Sequence, residues 1–66
     1  MKELKLSKAI YSINGIKETI SAYSGYATME IHNRGAHWGV VFSACKYDEK
    51  LTVKEFENYL IGVENH

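Results

Sequence analysis

The chain has 66 residues, of which 45% are hydrophobic and 24% are charged, and its 8 basic side chains balance 8 acidic ones. This length allows one domain over residues 1–66, which buries only about 60% of the surface that the unfolded chain exposes. A neutral chain lacks the long-range field that draws proteins to phosphate backbones, so we expect no nucleic acid partner. The single cysteine cannot form an internal disulfide, and no apolar run approaches the roughly 20 residues of a membrane span. We therefore expect a cytoplasmic protein and no membrane partner.

The first predicted element is a strand over Lys2–Tyr11, KELKLSKAIY. Leu4, Leu6 and Ile10 lie on one side of this segment and the lysines lie mostly elsewhere, which is typical of a strand with a solvated face. Lysine commonly protects edge strands against unwanted pairing. The pattern therefore predicts an edge strand.

A helix is predicted over residues 13–24, where the apolar period changes. Ser12 is the expected N-cap, with Asn14 as the alternative, because both side chains can accept a hydrogen bond from a first-turn amide. Gly25 fits the left-handed position that follows a last helical turn. The apolar positions recur at spacings of three and four, as one helical face requires: Ile13, Ile16, Ile20 and Tyr23.

The stretch Ala27–Cys45, ATMEIHNRGAHWGVVFSAC, predicts a two-stranded antiparallel hairpin. Apolar and polar residues alternate on both sides of the loop 33–36, whose Asn and Gly tolerate positive φ. One face should be covered by the helices: Met29, Ile31, Trp38, Val40 and Phe42. The other face should be open: Thr28, Glu30, His32, His37, Gly39, Val41, Ser43 and Cys45.

A second helix is predicted over residues 53–63, after a polar loop over residues 46–50. Thr52 and Glu55 stand three apart and have the pattern of a capping box, in which each side chain serves the backbone amide of the other residue. The apolar stripe of this helix follows directly: Val53, Phe56, Tyr59, Leu60 and Val63.

These elements predict an α+β domain with the order β-α-β-β-α. A right-handed crossover makes the first two strands parallel, and the third strand lies between them in a three-stranded sheet of order 1-3-2. Both helices would cover one face of the sheet, as in a truncated ferredoxin-like fold. If the register were shifted by one residue, Trp38 and Phe42 would lie on the open face, where aromatic rings could stack on RNA bases.

No motif in the chain indicates a catalytic constellation, so we expect a non-enzymatic module that docks a peptide or a partner enzyme without a cofactor. The chain has 5 tyrosines, and tyrosine is a common interface residue because it presents apolar area with a polar tip. Two of them, Tyr23 and Tyr59, are expected to close the edges of the core. The predicted partner-binding residues are Tyr11, Tyr26, Val41 and Tyr47.

The alternative is a small metal-binding or redox protein that uses His32, His37 and Cys45. The two histidines flank the hairpin loop, where Glu30 or Cys45 could supply a third ligand. The spacing His-x4-His is not a recognised ligand signature, and nothing beside Cys45 in sequence lowers a thiol pKa. Two solvated histidines and a partly buried thiol are the simpler interpretation.

Two segments of the chain resemble a known family. The pattern Ile10–Lys17, IYSINGIK, followed by Tyr23-Ser24, and the late segment Glu55–Ile61, EFENYLI, look like the small HxsD-type proteins. Those proteins are companions of radical-SAM enzymes in His-Xaa-Ser peptide-modification systems. The similarity rests mainly on hydrophobic positions, and Tyr59 stands where the family tends to have an acidic residue. The resemblance implies an accessory role in peptide modification and transfers no catalytic residue.

We also expect a homodimer, formed through the edge of the first strand or through the open face around Val41. A small domain has a thin core, to which burial of roughly 800 Å² per partner would add appreciably. Two-fold pairing is the commonest form of association among soluble chains.

Overall fold

The structure is a computed structural model that describes residues 2–65. The elements follow in the order β1 (Lys2–Ser7), α1 (Ile13–Tyr23), β2 (Ala27–Asn33), β3 (His37–Cys45) and α2 (Glu49–Glu64). The sheet has the order β1-β3-β2, and β3 pairs antiparallel with both neighbours. The predicted α+β class, element order and strand order are confirmed.

The hairpin of β2 and β3 has the predicted loop and the predicted faces in its central part. Gly35 has a φ of 88°, a conformation that glycine adopts without steric cost. The Arg34 amide donates to the His37 carbonyl at 3.0 Å and closes the loop. Phe42 is fully buried and Trp38 packs against the core, so the register that placed both rings on the helix side is confirmed.

The core lies between one face of the sheet and both helices. The rings of Phe42 and Phe56 meet edge to face with their centroids 5.3 Å apart, which joins the central strand to α2. No helix within residues 2–65 combines the length and the apolar character that crossing a membrane requires. The buried apolar side chains come from all five elements: Leu6, Ile16, Ala27, Val40, Phe42, Val53, Phe56 and Leu60.

The first strand ends at Ser7, earlier than the predicted Tyr11. The amides of Ile10 and Tyr11 donate to the Ser7 carbonyl at 3.1 and 2.9 Å, so the chain turns instead of extending the sheet. Ile10, which was predicted on the apolar side, is 67% exposed. The Lys8 ammonium lies 4.3 Å from the centroid of the Trp38 ring, a favourable cation–π geometry.

A β-bulge corrects the predicted face of Cys45. The pairing of β2 with β3 shifts by one residue between Thr28 and Met29, which leaves Ser43 without a partner of its own. An extra residue reverses the alternation of faces beyond it. Ala44 is therefore exposed and Cys45 packs against the core, so the prediction of Cys45 on the open face is wrong.

Both ends of α1 lie within one residue of the prediction, but the predicted cap at its C-terminal end does not form. The Ser12 hydroxyl caps the helix by accepting a hydrogen bond from the Gly15 amide at 3.1 Å. The helix ends at Tyr23, and the capping residue Ser24 is still right-handed. Gly25 does not adopt a positive φ, so the predicted left-handed cap is wrong.

The second helix begins at Glu49, before the predicted start at residue 53. Asp48 is its N-cap, and the Asp48 Oδ1 atom accepts a hydrogen bond from the Lys50 amide at 3.1 Å. Thr52 is buried inside the helix, and its amide donates to the Asp48 carbonyl at 2.9 Å. The predicted capping box of Thr52 and Glu55 is therefore wrong, because Asp48 supplies an equally good cap one turn earlier.

Candidate functional site

Four tyrosine rings lie together at the end of the fold where α1 ends and β2 begins. Their ring centroids are 5.5 Å apart for Tyr23 and Tyr26, 5.6 Å for Tyr23 and Tyr59, and 5.9 Å for Tyr26 and Tyr47. Tilted and edge-to-face pairs at such distances are favourable. We call this group the tyrosine cluster: Tyr23, Tyr26, Tyr47 and Tyr59.

Tyr23 joins the tyrosine cluster to the core. Its ring stands edge-on to the ring of Phe56 at a centroid distance of 6.0 Å, and Phe56 is fully buried. The Tyr23 hydroxyl donates to the Glu55 carbonyl at 3.3 Å. Burial, with the Glu55 carboxylate nearby, raises the pKa of the Tyr23 phenol above its usual 10.0. The position of Tyr23 is thus fixed at both its ring and its hydroxyl.

The other three rings of the cluster remain open to solvent. Tyr26 is 47% exposed, Tyr47 is 59% exposed and Tyr59 is 43% exposed. The Lys46 ammonium lies 5.8 Å from the centroid of the Tyr47 ring. Exposed tyrosines whose rings support one another offer apolar contact area, a property of the energetically dominant residues of interfaces.

The structure brings together two of the four predicted partner-binding residues. Tyr26 and Tyr47 are neighbours in the cluster. Tyr11 precedes the N-cap of α1, at the far end of that helix, and packs against the core. Val41 is partly buried on the open sheet face. Tyr59, which was expected only to close the core, is instead part of the exposed cluster.

The free edge of β2 begins at the tyrosine cluster. On one side β2 pairs with β3, and no strand within residues 2–65 pairs with its other side. The Tyr26 carbonyl accepts a hydrogen bond from the Lys46 amide at 2.8 Å, which directs that residue toward β3. Because antiparallel strands alternate, the backbone groups of Ala27, Met29 and Ile31 point toward the free edge.

The two edges of the sheet are protected differently. The β1 edge carries the exposed side chains of Lys2 and Lys5. The β2 segment, ATMEIHN, contains neither lysine nor proline. Since lysine and proline are common protections against added strands, β2 is the less protected edge.

A groove of about 490 Å³ lies beside the tyrosine cluster, between α1 and α2. A Cβ atom built on Gly62 would meet no heavy atom within 4 Å, so this glycine leaves space in the surface of α2. The sequence interpretation missed this groove, because only the packing of the two helices forms it. Its lining comes from one residue of α1 and four of α2: Glu18, Asn58, Tyr59, Gly62 and Val63.

An ion pair covers part of the open sheet face. The Arg34 guanidinium donates two hydrogen bonds to the Glu3 carboxylate, at 3.0 and 3.1 Å. A Cβ atom on Gly39 would overlap that carboxylate, so the pair lies over the glycine. The hydrogen bond from Arg34 lowers the pKa of the Glu3 carboxyl from its ordinary value of 4.5.

The structure does not bring His32, His37 and Cys45 together. His32 is paired with Gly39, and its Nε2 atom lies 3.6 Å from a carboxylate oxygen of Glu30. Cys45 lies on the helix side of the sheet, where burial raises the pKa of its thiol. Across residues 2–65, no three His, Cys, Asp or Glu side chains are grouped as a metal would require.

Comparison of the chain with protein-family models, with curated proteins and with solved structures finds no match. The resemblance to HxsD-type proteins therefore depends on the two sequence segments alone. Three features of the structure adjoin one another and form the candidate site: the tyrosine cluster, the free β2 edge and the groove between the helices.

Proposed function

We propose that this chain is a non-enzymatic accessory module that binds an extended peptide segment of a partner protein along the free edge of β2. The observation that carries this proposal is the tyrosine cluster at the start of that edge. Three of its tyrosines are at least 43% exposed, although the ring of each is in contact with another ring. Side chains that are already held in place lose little conformational entropy when a partner binds.

Strand addition gives each part of this surface a role. The outward backbone groups of Ala27, Met29 and Ile31 would form a ladder of hydrogen bonds with the peptide, and backbone pairing of this kind supplies affinity without requiring a particular sequence. Tyr26 directly precedes the strand, so a peptide that leaves the edge there meets the exposed rings. The tyrosine cluster would then select for apolar or aromatic side chains in the peptide.

The class of partner follows from the family resemblance. The segments Ile10–Lys17 and Glu55–Ile61 resemble the small companions of radical-SAM enzymes, which supports a partner in a peptide-modification system. Purification of the tagged chain from its own cells should recover a radical-SAM enzyme or its peptide substrate. Recovery of neither by the wild-type chain under conditions that preserve complexes would contradict this partner class.

Peptide binding is tested with a random peptide library displayed on phage and selected against the immobilised full chain. The dissociation constants of enriched peptides are then measured by fluorescence anisotropy. We expect Tyr47→Ala to weaken binding at least tenfold, about 1.4 kcal/mol. Ile10→Ala is the matched control, because Ile10 is also an exposed apolar side chain, at 67%, but lies outside the cluster. Failure to enrich any peptide, or equal binding by the Tyr47 variant, would refute the proposal.

The edge is tested separately by chemical synthesis of the chain with N-methylmethionine at position 29. This change removes one outward amide hydrogen and leaves the Met29 side chain in place. If a peptide pairs with the edge, it should bind the modified chain at least tenfold more weakly. A methyl group at Thr28, whose amide faces β3, is the contrasting modification and should instead destabilise the fold.

We further propose that the chain forms a homodimer through the β1 edge or through the open face around Val41. Pairing through either surface leaves the β2 edge available to the peptide. Light scattering at micromolar concentration should then give twice the 7.5 kDa of one chain. A mass that stays at 7.5 kDa as the concentration rises would contradict the dimer.

A further inference from the structure

We infer that the groove between α1 and α2 receives an arginine side chain of the bound peptide, with the Glu18 carboxylate as its ionic partner. The arginine site presupposes the peptide binding proposed above and adds a residue that the peptide must carry. It would make this module selective among extended segments, which backbone pairing along β2 alone cannot do.

The charge of the groove favours a cation. Its lining includes one carboxylate, one amide and one phenol, but no basic side chain. Glu18 is exposed and forms neither a hydrogen bond nor an ion pair with any residue from 2 to 65. An occupant that brings a positive charge therefore gains an ionic partner without breaking an existing contact of Glu18.

The lining of the groove favours arginine over lysine. A guanidinium is planar, stacks on aromatic rings and binds a carboxylate through two parallel hydrogen bonds, whereas an ammonium is a compact and strongly hydrated charge. Tyr59 supplies the ring, and the side-chain oxygen of Asn58 supplies a further acceptor. Val63 and the bare surface at Gly62 would contact the methylene stem, which arginine commonly buries along apolar surface.

The groove lies within reach of a peptide on the β2 edge. Tyr59 is connected to Tyr26 through Tyr23, with successive centroid distances of 5.6 and 5.5 Å. An extended chain advances about 3.3 Å per residue. A peptide that leaves β2 at Tyr26 therefore reaches the groove after roughly three or four residues, across the exposed rings.

The peptide selection described above tests this inference directly. Enriched peptides should carry an arginine at a fixed distance from their strand-forming segment. Glu18→Gln should weaken their binding at least tenfold, whereas Glu57→Gln, which removes the same charge from α2 outside the groove, should not. Gly62→Leu should also weaken binding, because the added side chain fills the groove, and circular dichroism should show that it keeps the fold since nothing lies within 4 Å of the new Cβ.

A peptide in which citrulline replaces the arginine separates the ionic contact from a general loss of binding. Citrulline keeps the shape of the side chain and removes its charge. The Glu18→Gln effect should disappear with this peptide. Enriched peptides that lack arginine, or a Glu18→Gln effect that is equal for both peptides, would overturn the arginine site and leave peptide binding intact. A library that yields no binder would overturn both proposals.

Discussion

The two ends of the α1–α2 pair are held by different chemistry. At one end the Glu64 carboxylate accepts hydrogen bonds from the Ser12 amide at 2.8 Å and from the Ser12 hydroxyl at 3.0 Å. The first turn of α1 contains no acidic residue, so Glu64 brings the negative charge that a helix N-terminus favours. We call this contact the carboxylate clamp. At the other end, the tyrosine cluster connects the helices through aromatic rings.

The difference shows which end is available to a partner. Hydrogen bonds are directional, and in the carboxylate clamp the Ser12 amide and the Ser12 hydroxyl already donate to the Glu64 carboxylate. Ring contacts leave part of each ring exposed, as the 59% exposure of Tyr47 illustrates. The tyrosine cluster can therefore support the fold and bind a partner at the same time, whereas the clamp serves the fold.

The largest expected effect comes from removing the buried ring on which the tyrosine cluster rests. Phe56 is fully buried and contacts both Phe42 and Tyr23. Phe56→Ala should lower the free energy of unfolding by about 3–5 kcal/mol, since the lost burial is accompanied by a cavity. Urea denaturation followed by circular dichroism measures this loss. Leu51→Ala on the same helix, at a side chain that is 53% exposed, should cost far less, and equal losses would contradict the role of Phe56.

The carboxylate clamp should contribute less to the free energy of unfolding than Phe56 does. It should also limit the effect of a substitution at Gly15. Glu64→Ala should destabilise the chain by about 1–2 kcal/mol, because the Ser12 amide loses its acceptor and α1 loses the charge at its N-terminus. A Cβ atom on Gly15 would overlap the Glu64 carboxylate. Gly15→Ala should therefore gain little or nothing in the wild-type chain, although alanine is favoured over glycine in helices by about 1 kcal/mol.

In a chain that already carries Glu64→Ala, the same Gly15→Ala change should become stabilising by about 1 kcal/mol. Thermal and urea unfolding of the wild type, both single variants and the double variant measure this coupling. An identical effect of Gly15→Ala in both backgrounds would show that the clamp does not form.

An exposed ring should matter more for binding than for stability. Tyr47 contacts Tyr26 but is mostly open to solvent. Tyr47→Ala should lower the free energy of unfolding by only about 0.5–1.5 kcal/mol, which is the contribution of one aromatic pair. The same variant should lose at least tenfold in affinity for the selected peptides. A stability loss as large as that of Phe56→Ala would make Tyr47 a structural residue instead.

The smallest effect is a pH dependence confined to the aromatic end. The pKa of Tyr23 is raised above 10.0 in the folded chain by burial and by nearby Glu55. A pKa that is higher in the folded than in the unfolded chain stabilises the fold while the phenol is neutral. This stabilisation is fully present below the pKa of Tyr23 in the unfolded chain and is lost as the pH rises through its pKa in the folded chain. Urea midpoints from about pH 8 to about pH 11 should fall less for Tyr23→Phe than for the wild type. If the urea midpoints of the two chains fall equally with pH, Tyr23 is not the cause of the pH dependence.

The candidate site was only partly predictable. Tyr26 and Tyr47 were recognised as surface tyrosines near element ends, because interface propensity is a property of the residue type. The predicted hairpin already places the end of β3 beside the start of β2. The ring contact was still not predictable, since Tyr26 and Tyr47 lie outside the strands and the alternation does not set the directions of their side chains. Cys45 was assigned to the wrong face because one unpaired residue, Ser43, reverses the alternation of faces. The residue types around Ser43 do not indicate this bulge.

The sequence by itself determined the elements and their layers. Alternation with a period of two indicates a strand, and spacing of three and four indicates a helix. Both patterns arise because residues close in the sequence share one buried face, so a short stretch of sequence is enough to recognise the element. Only the tertiary structure decided how the helices begin and end and which residues distant in the sequence they contact there. Thr52 was predicted as the cap of α2, whereas Asp48 caps the helix one turn earlier and Thr52 is buried inside it. The Glu64 contact with Ser12 joins residues 52 positions apart, and the tyrosine cluster joins residues 23 to 59, because packing of the helices on the sheet brings them together.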